Sequence, residues 1–320
     1  MSKKPSQSPS AQLEPFVAPF RFDGSAEFHL RSHKTNEKGG IDKDKGEKVL
    51  EANRKRLSDF QERLYAQDRW SLLLIFQGMD AAGKDSAIKS IFDGVNPQGC
   101  EVHSFKQPSS LELDHDFMWR CMAALPRRGR IGIFNRSYYE ECLVVRVHPE
   151  ALAQEKIPPR LVTRNIWRER FEDIAAFERY LARNGTVILK FFLNVSKQEQ
   201  RERFLDRLDQ PAKNWKFSMA DIAERARWVK YQAAYQDIVR HTSTPAAPWH
   251  VVPADHKWFA RVVIGSTIVR ALEKLDLKFP DVDAASSQEF KQVRAALENE
   301  GKSGAKKKAV KKTPGAKLTK

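Results

Sequence analysis

Leu72-Leu73-Leu74-Ile75-Phe76-Gln77-Gly78-Met79-Asp80-Ala81-Ala82-Gly83-Lys84-Asp85-Ser86 is the stretch on which the fold turns. Its first five residues are all apolar and run into a glycine turn, which reads as a strand buried on both faces, as in a parallel sheet. Gly78 to Lys84 then fits G-x-x-x-x-G-K. In such a loop the glycines let backbone N–H groups converge on phosphate oxygens. Lys84 adds a point positive charge, and a helix expected over 84–92 starts underneath. Strand before and helix after is the context that separates this motif from a chance match. Ala81, Ala82, Gly83, Lys84, Asp85 and Ser86 are therefore the expected phosphate contacts.

Two departures from the usual pattern carry further information. Asp85 stands where Ser or Thr usually follows the lysine to hold Mg²⁺, and Asp80 puts a second carboxylate inside the loop. A bare carboxylate repels phosphate, so a divalent cation between the two is expected, with Asp80 as its ligand. The alternative for Asp80 is a loop cap bonding its own backbone.

Outward from the loop, strand and helix patterns alternate. Strands are expected at 72–76, 100–105, 130–134, 186–193 and 248–253. Helices are expected at 47–68, 84–92, 109–125, 159–183, 196–208, 219–241 and 256–275. This alternation predicts an α/β fold, a five-stranded parallel sheet sandwiched by helices. Asn135-Arg136-Ser137-Tyr138-Tyr139-Glu140 follows the strand at 130–134 and so falls at the carboxyl end of the sheet, where ligands bind. Ser109-Ser110-Leu111-Glu112 reads as a capping box opening a helix that holds Asp114, His115, Asp116 and Arg120. His115 and two acids close together suggest a metal site as one reading, and a solvated or acceptor-facing helix start is the preferred one. The helix at 196–208 is dense in arginine (Arg201, Arg203, Arg207). The break at 209–218, with Lys213, Trp215 and Lys216, reads as a mobile lid between two helices. Trp215 either stacks on a base or pins the lid.

The ends read differently. Residues 1–20 are rich in Ser and Pro and read as loose, and 21–46 as an extended arm with local turns. Residues 47–280 form the expected catalytic domain, and 281–320 a basic tail without fixed structure. The net charge is +15, and residues 302–320 contribute eight lysines and no acid, so residues 1–301 still carry +7. A basic body suggests a polyanionic partner, nucleic acid or inorganic polyphosphate. For the tail, a solubilising role is the first reading and polyanion capture the second. No run of 18 apolar residues exists and the N-terminus lacks an apolar leader core, so a cytoplasmic protein without membrane association is expected. Cys100, Cys121 and Cys142 lack metal-ligand spacing and read as reduced apolar residues.

Taken together, these segments resemble the polyphosphate kinase 2 family. The likeness rests on Gly78–Asp85, Val95-Asn96-Pro97-Gln98-Gly99, Ser104-Phe105-Lys106, Asp114-His115-Asp116, Phe134–Glu140, Arg146-Val147-His148, the segment 209–218 and Pro253–Trp258. It covers roughly residues 19–279. The resemblance implies a P-loop kinase fold similar to thymidylate kinase, with a helical lid. It implies phosphoryl transfer between inorganic polyphosphate and nucleoside mono- and diphosphates, adenine first and guanine within reach, with Mg²⁺ or Mn²⁺ in its place. A homo-oligomer, dimer or tetramer, is expected. Asp80, Lys84, Asn135, Arg136 and Glu140 are the expected catalytic set. Lys106, Arg201, Arg203, Arg207, Lys213 and Lys216 are expected on polyphosphate, and Asp114, His115, Arg120, Tyr138, Tyr139 and Trp215 on the nucleotide. Many relatives have Asp where this chain has Asn135 and Asn where it has Glu140. The Asn and Glu version resembles the class accepting both AMP and ADP.

The chemistry suits these residues without the family. Phosphoryl transfer needs positioning and charge stabilisation, and the nucleotide phosphate is itself the nucleophile. Two other readings remain: a nucleotide kinase of the same fold using ATP as donor, and a nucleic-acid-binding protein. The last lacks a recognisable binding module or an aromatic-interleaved basic stripe, so no specific nucleic acid is expected.

Overall fold

The computed structural model of the chain describes residues 9–309, and these fall into two compact units parted after Lys278. The first holds a six-stranded sheet: β1 (Arg21–Phe22), β2 (Ser71–Gln77), β3 (Cys100–Ser104), β4 (Ile131–Asn135), β5 (Thr186–Asn194) and β6 (Trp249–Pro253). Its order is β1-β6-β5-β2-β4-β3. The five strands read from the sequence are all present and parallel, and β1 adds a short antiparallel rung at the β6 edge. All seven residues of β2 are buried, because the strand is flanked by β4 and β5 and covered on both faces. In register, Leu74 faces Ile133 on one side and Leu189 on the other.

Helix Lys43–Gln67 begins four residues before its expected start, because Asp42 caps it, accepting from the Lys45 amide at 2.8 Å. It buries Leu50, Leu57 and Leu64 and packs on helix Lys257–Glu273, to which Asn53 donates a hydrogen bond at Ser266 Oγ, 3.0 Å. Gly46 is needed at this contact: a Cβ there would lie 2.5 Å from the Trp258 ring.

Other segments of this unit also depart from the sequence reading. The stretch expected to be loose contains a helix at Pro9–Leu13 and two tight turns, with Leu13, Phe16 and Phe20 buried and both phenylalanines edge-on to Phe259. Apolar residues three and four apart docked on a preformed helix overcome the Ser/Pro bias. The helix expected at 109–125 is two short pieces, Ser110–Leu113 and Trp119–Met122. Its capping box forms as read. Asp116 then accepts from the Met118 amide at 2.9 Å, and this local bond diverts the backbone from the helix. The helix expected from 159 begins at Ile166, after a turn at Pro159–Leu161. The one expected over 219–241 breaks at Arg227 into Met219–Ala226 and Trp228–Thr242.

The second unit, described by itself, is the helix Ala284–Ala309, read from the sequence as an unstructured tail. Asp283 accepts from the Ser286 amide at 2.7 Å and so starts it, and a run of strong helix formers sustains it. Residues 1–8, the start of the stretch read as loose, and residues 310–320, the rest of the lysine tail, lie outside the described residues. Among the described residues, no helix is long and apolar enough to cross a membrane. The cysteines are free, Cys121 and Cys142 buried.

Candidate active site

The site is built where β2 and β4 end. β2 delivers the chain to Gly78, where a Cβ would approach Leu193 O to 3.0 Å, so the turn needs the missing side chain. Ala81 (φ +61°) and Gly83 (φ +105°) both adopt the left-handed conformation and fold the loop back onto helix Lys84–Ile91. The loop's carbonyls are held from outside. Arg203, on helix Lys197–Asp209, is buried and donates to Ala81 O at 2.9 Å, Ala82 O at 2.8 Å and Asp255 O at 3.1 Å. Gln200 on the same helix donates to Asp80 O at 2.9 Å. Holding the carbonyls outward in this way favours inward-facing amides, the arrangement an anion needs. Ser86 Oγ donates to Gly83 O at 2.9 Å and steadies the same turn.

Lys84 is buried and its ammonium donates to Gly78 O at 2.7 Å, curling back over the loop. Burial, reinforced by the nearby Arg136 charge, lowers its pKa to about 8, against the upward pull of Asp80, Glu140 and Asp85.

Arg136 follows β4 with φ +65°, a conformation costly for a residue with a Cβ. Its amide donates to Phe76 O at 3.0 Å, which fixes it beside the phosphate loop. The guanidinium bridges two acids, donating to Glu140 Oε2 at 2.8 Å and Asp80 Oδ1 at 2.9 Å. Glu140 chiefly, and Asp80, raise its pKa further, so it stays cationic. Asn135 Nδ2 donates to Asp85 Oδ1 at 2.5 Å. With its amide oriented to satisfy both neighbours, Gln77 donates to Glu140 Oε1 at 2.7 Å and accepts from Ser137. The expected catalytic set thus converges on one spot. Among the described residues, no three His, Cys, Asp or Glu side chains form a ready-made metal cage.

A cavity of about 540 Å³ opens beside this spot. Asp80, Arg136 and Glu140 close one end, and Phe105, Lys106 and Arg120 form a wall at the end of β3. Asp221 and Glu224 of helix Met219–Ala226, with Tyr231, also line it. Glu141 lies behind Arg120, 2.9 Å from its guanidinium, and burial pushes its pKa up to about 7 despite that partner.

Several expected contacts are placed elsewhere. Tyr138 and Tyr139 are fully buried, donating to Glu178 Oε1 at 2.9 and 2.8 Å, so they support the core and do not face the cavity. Glu178 in turn pairs with Lys190 at 2.5 Å, both wholly buried. Arg203 is committed to backbone carbonyls and cannot also track a polyphosphate chain. Asp114 is exposed and paired with Lys156, and His115 stacks on Trp119 with centroids 4.0 Å apart. Trp215 is 78% exposed and donates to Ala212 O within its own turn, Pro211–Lys216, at 3.1 Å. Arg120 does line the cavity, braced by Lys106 O at 2.7 Å. Arg201 and Lys106 are exposed, Arg207 pairs with Asp221 at 3.6 Å and Lys213 with Asp206 at 2.9 Å. The Lys216 side chain lies outside the described residues. Sequence reasoning missed Gln77, Gln200, Glu141, Glu224 and Tyr231. Only Gln77, polar at the end of an apolar strand, gave any local signal.

The family model for Polyphosphate kinase 2 matches residues 40–280. The chain is 50% identical over 250 residues to an ADP-polyphosphate phosphotransferase of Rhodopseudomonas palustris, covering 78% of this chain and 86% of that one. It is 45% identical over 234 residues to an AMP/ADP-polyphosphate phosphotransferase of Meiothermus ruber, covering 73% and 84%. The crystal structure of polyphosphate kinase 2 from Arthrobacter aurescens TC1 superposes with a TM-score of 0.77 at 37% identity, covering 85% of this chain and 94% of that one. The loop geometry, the sheet order and these likenesses agree, and the chain belongs to the polyphosphate kinase 2 family.

Proposed function

We propose that this enzyme moves phosphoryl groups between inorganic polyphosphate and adenine nucleotides, with both AMP and ADP as acceptors. The observation that carries the reading is the Asp80–Arg136–Glu140 bridge, which joins the phosphate loop to the lining of a nucleotide-sized cavity.

The terminal phosphate of the polymer rests on the loop amides and Lys84. The nucleotide lies in the cavity with its last phosphate towards Arg136. An oxygen of that phosphate attacks the terminal phosphorus, the new P–O bond forms as the old anhydride bond breaks, and the polymer leaves one unit shorter. No covalent enzyme intermediate is needed. Arg136 faces the equatorial oxygens, where charge spreads in the transition state, while Glu140 and Asp80 hold its guanidinium in place. Asn135 orients Asp85 at the start of the loop helix.

The donor set suits Mg²⁺, or Mn²⁺ in its place: Asp80 offers hard carboxylate oxygen, and such ions commonly take one or two carboxylates together with substrate phosphates. The ion would neutralise phosphate charge there, and Asp80 would hold it. Arg201, Arg207, Lys213 and Lys106 give the polymer a basic track, and residues 209–218 with their flanking helices act as the lid. Residues 47–280 are the phosphotransferase domain. Free cysteines and nucleotide substrates support a cytoplasmic setting, and the active form is a homo-oligomer, dimer or tetramer.

The deciding experiment is a matrix of AMP, ADP, GMP and GDP against polyphosphate and ATP as donors, each with Mg²⁺. Polyphosphate-dependent ADP and ATP formation is the expected result. Transfer from ATP with none from polyphosphate would overturn the reading.

A further inference from the structure

His148 belongs to a sequence motif, Arg146-Val147-His148, that the phosphate chemistry leaves unused. It caps helix Glu140–Val147, its amide donating to Val144 O at 2.9 Å, and Pro149 follows. The helix therefore runs from Glu140, bonded to Arg136 beside the phosphate loop, to His148, which also lines the cavity.

The imidazole lies between two carboxylates. Nδ1 is 3.0 Å from Glu150 Oε1 and Nε2 is 2.9 Å from Glu224 Oε2. A neutral imidazole has one N–H and one lone pair, so it can donate to only one of them. Only the imidazolium satisfies both. Glu224 belongs to helix Met219–Ala226, and the same Glu224 oxygen accepts from Tyr231 OH at 2.5 Å. Arg227, just past that helix, donates to Val147 O at 3.4 Å. The neighbouring Arg146 is paired with Asp237 of helix Trp228–Thr242 at 2.7 Å. The charged and titratable groups around His148 are thus Glu150, Glu224, Tyr231, Arg227 and the Arg146–Asp237 pair. His148, Glu150, Glu224 and Tyr231 all line the cavity.

The geometry points to His148, in contact with a carboxylate at each ring nitrogen, as the positioning residue that fastens helix Met219–Ala226 beside the nucleotide cavity. This rests on the proposed use of that cavity. His148 touches no reacting atom. It holds Glu224, and through it the wall that carries Asp221, so its contribution falls on nucleotide binding and not on transfer.

The test uses full-length His148→Gln, His148→Ala, Glu224→Gln and the double variant His148→Ala/Glu224→Gln. ADP binding is titrated calorimetrically, and KM and kcat for ADP are measured with polyphosphate and Mg²⁺ at pH 6. At pH 6, each single variant should weaken ADP binding and raise KM about tenfold, with kcat within threefold. The double variant should match the singles within twofold, because both ends of one bond are gone. ADP affinity unchanged in His148→Gln at pH 6, or effects that multiply in the double variant, would overturn the latch. Should His148→Ala fail to fold, the Gln variant decides. A wild type that binds ADP but transfers nothing overturns the proposed activity alone, since the binding titration still reads the latch.

Discussion

At the scale of the residue, Asp80 and Lys84 carry the sharpest expectations. Asp80→Asn and Lys84→Ala should each lower transfer by about 10² to 10³, the usual loss when one charged contact to a transferring group is removed. Their melting temperatures should stay near wild type, because the loop is held by Arg203 and Gln200. A steady-state assay with a thermal melt checks both. Lys84 also sets a pH limit. Its pKa is lowered to about 8, so it is charged below that value and neutral above it. The values of kcat/KM should therefore fall as pH rises through about 8, since kcat/KM reports the free enzyme. Asp80 and Lys84 were legible because they are local: seven residues contain the whole motif. The bridge from Asp80 to Arg136 was not, since its partners stand 56 residues apart and meet only once the sheet is ordered.

At the scale of the element, the arginine-rich helix Lys197–Asp209 does two jobs that its sequence does not distinguish. Arg201 stays towards solvent and the half-buried Arg207 pairs with Asp221, whereas Arg203 turns inward onto the phosphate loop. The sequence shows one charged stripe; the packing divides it. Arg203→Ala should leave several loop carbonyls unpaired, lowering unfolding stability by about 3 kcal/mol in urea titrations and weakening polyphosphate binding as well. Arg203→Lys should not restore either, because one ammonium cannot replace a fork that reaches four carbonyls. Tyr138 and Tyr139 teach the same lesson in reverse. Their hydroxyls beside a strand end suggest ligand contact, yet the acceptor they find is Glu178, on a helix that starts far downstream. Helix boundaries were misread where a side chain competes for the backbone, as Asp116 does.

At the scale of the whole molecule, the alternation of strand and helix predicted the parallel sheet, while the tie that unites its layers left no pattern. Lys190 on β5 and Glu178 on the covering helix form a wholly buried ion pair, joined by Tyr139 OH, which lies 3.0 Å from Lys190 Nζ. Lys190 sits in an apolar strand, where a lysine would ordinarily argue against burial. Lys190→Met should destabilise the fold by about 3 to 5 kcal/mol, because Glu178 is then buried without its partner. Adding Glu178→Gln should recover part of that loss. Denaturant midpoints of the two variants measure the difference. The N-terminal segment is similarly integral: Phe16 and Phe20 pack on Phe259, and β1 follows directly.

Arg21 and Phe22 lie alongside His250 and Trp249 and so occupy the outer flank of β6. A protein shortened to begin at Asp23 would leave that flank with bare amides and carbonyls, a template onto which another chain could add itself. Such a trimmed protein should clump in proportion to its concentration, visible as rising scattered light, while the intact chain at the same concentration stays clear. Two residues far from any phosphate would then be what keeps neighbouring copies from joining edge to edge.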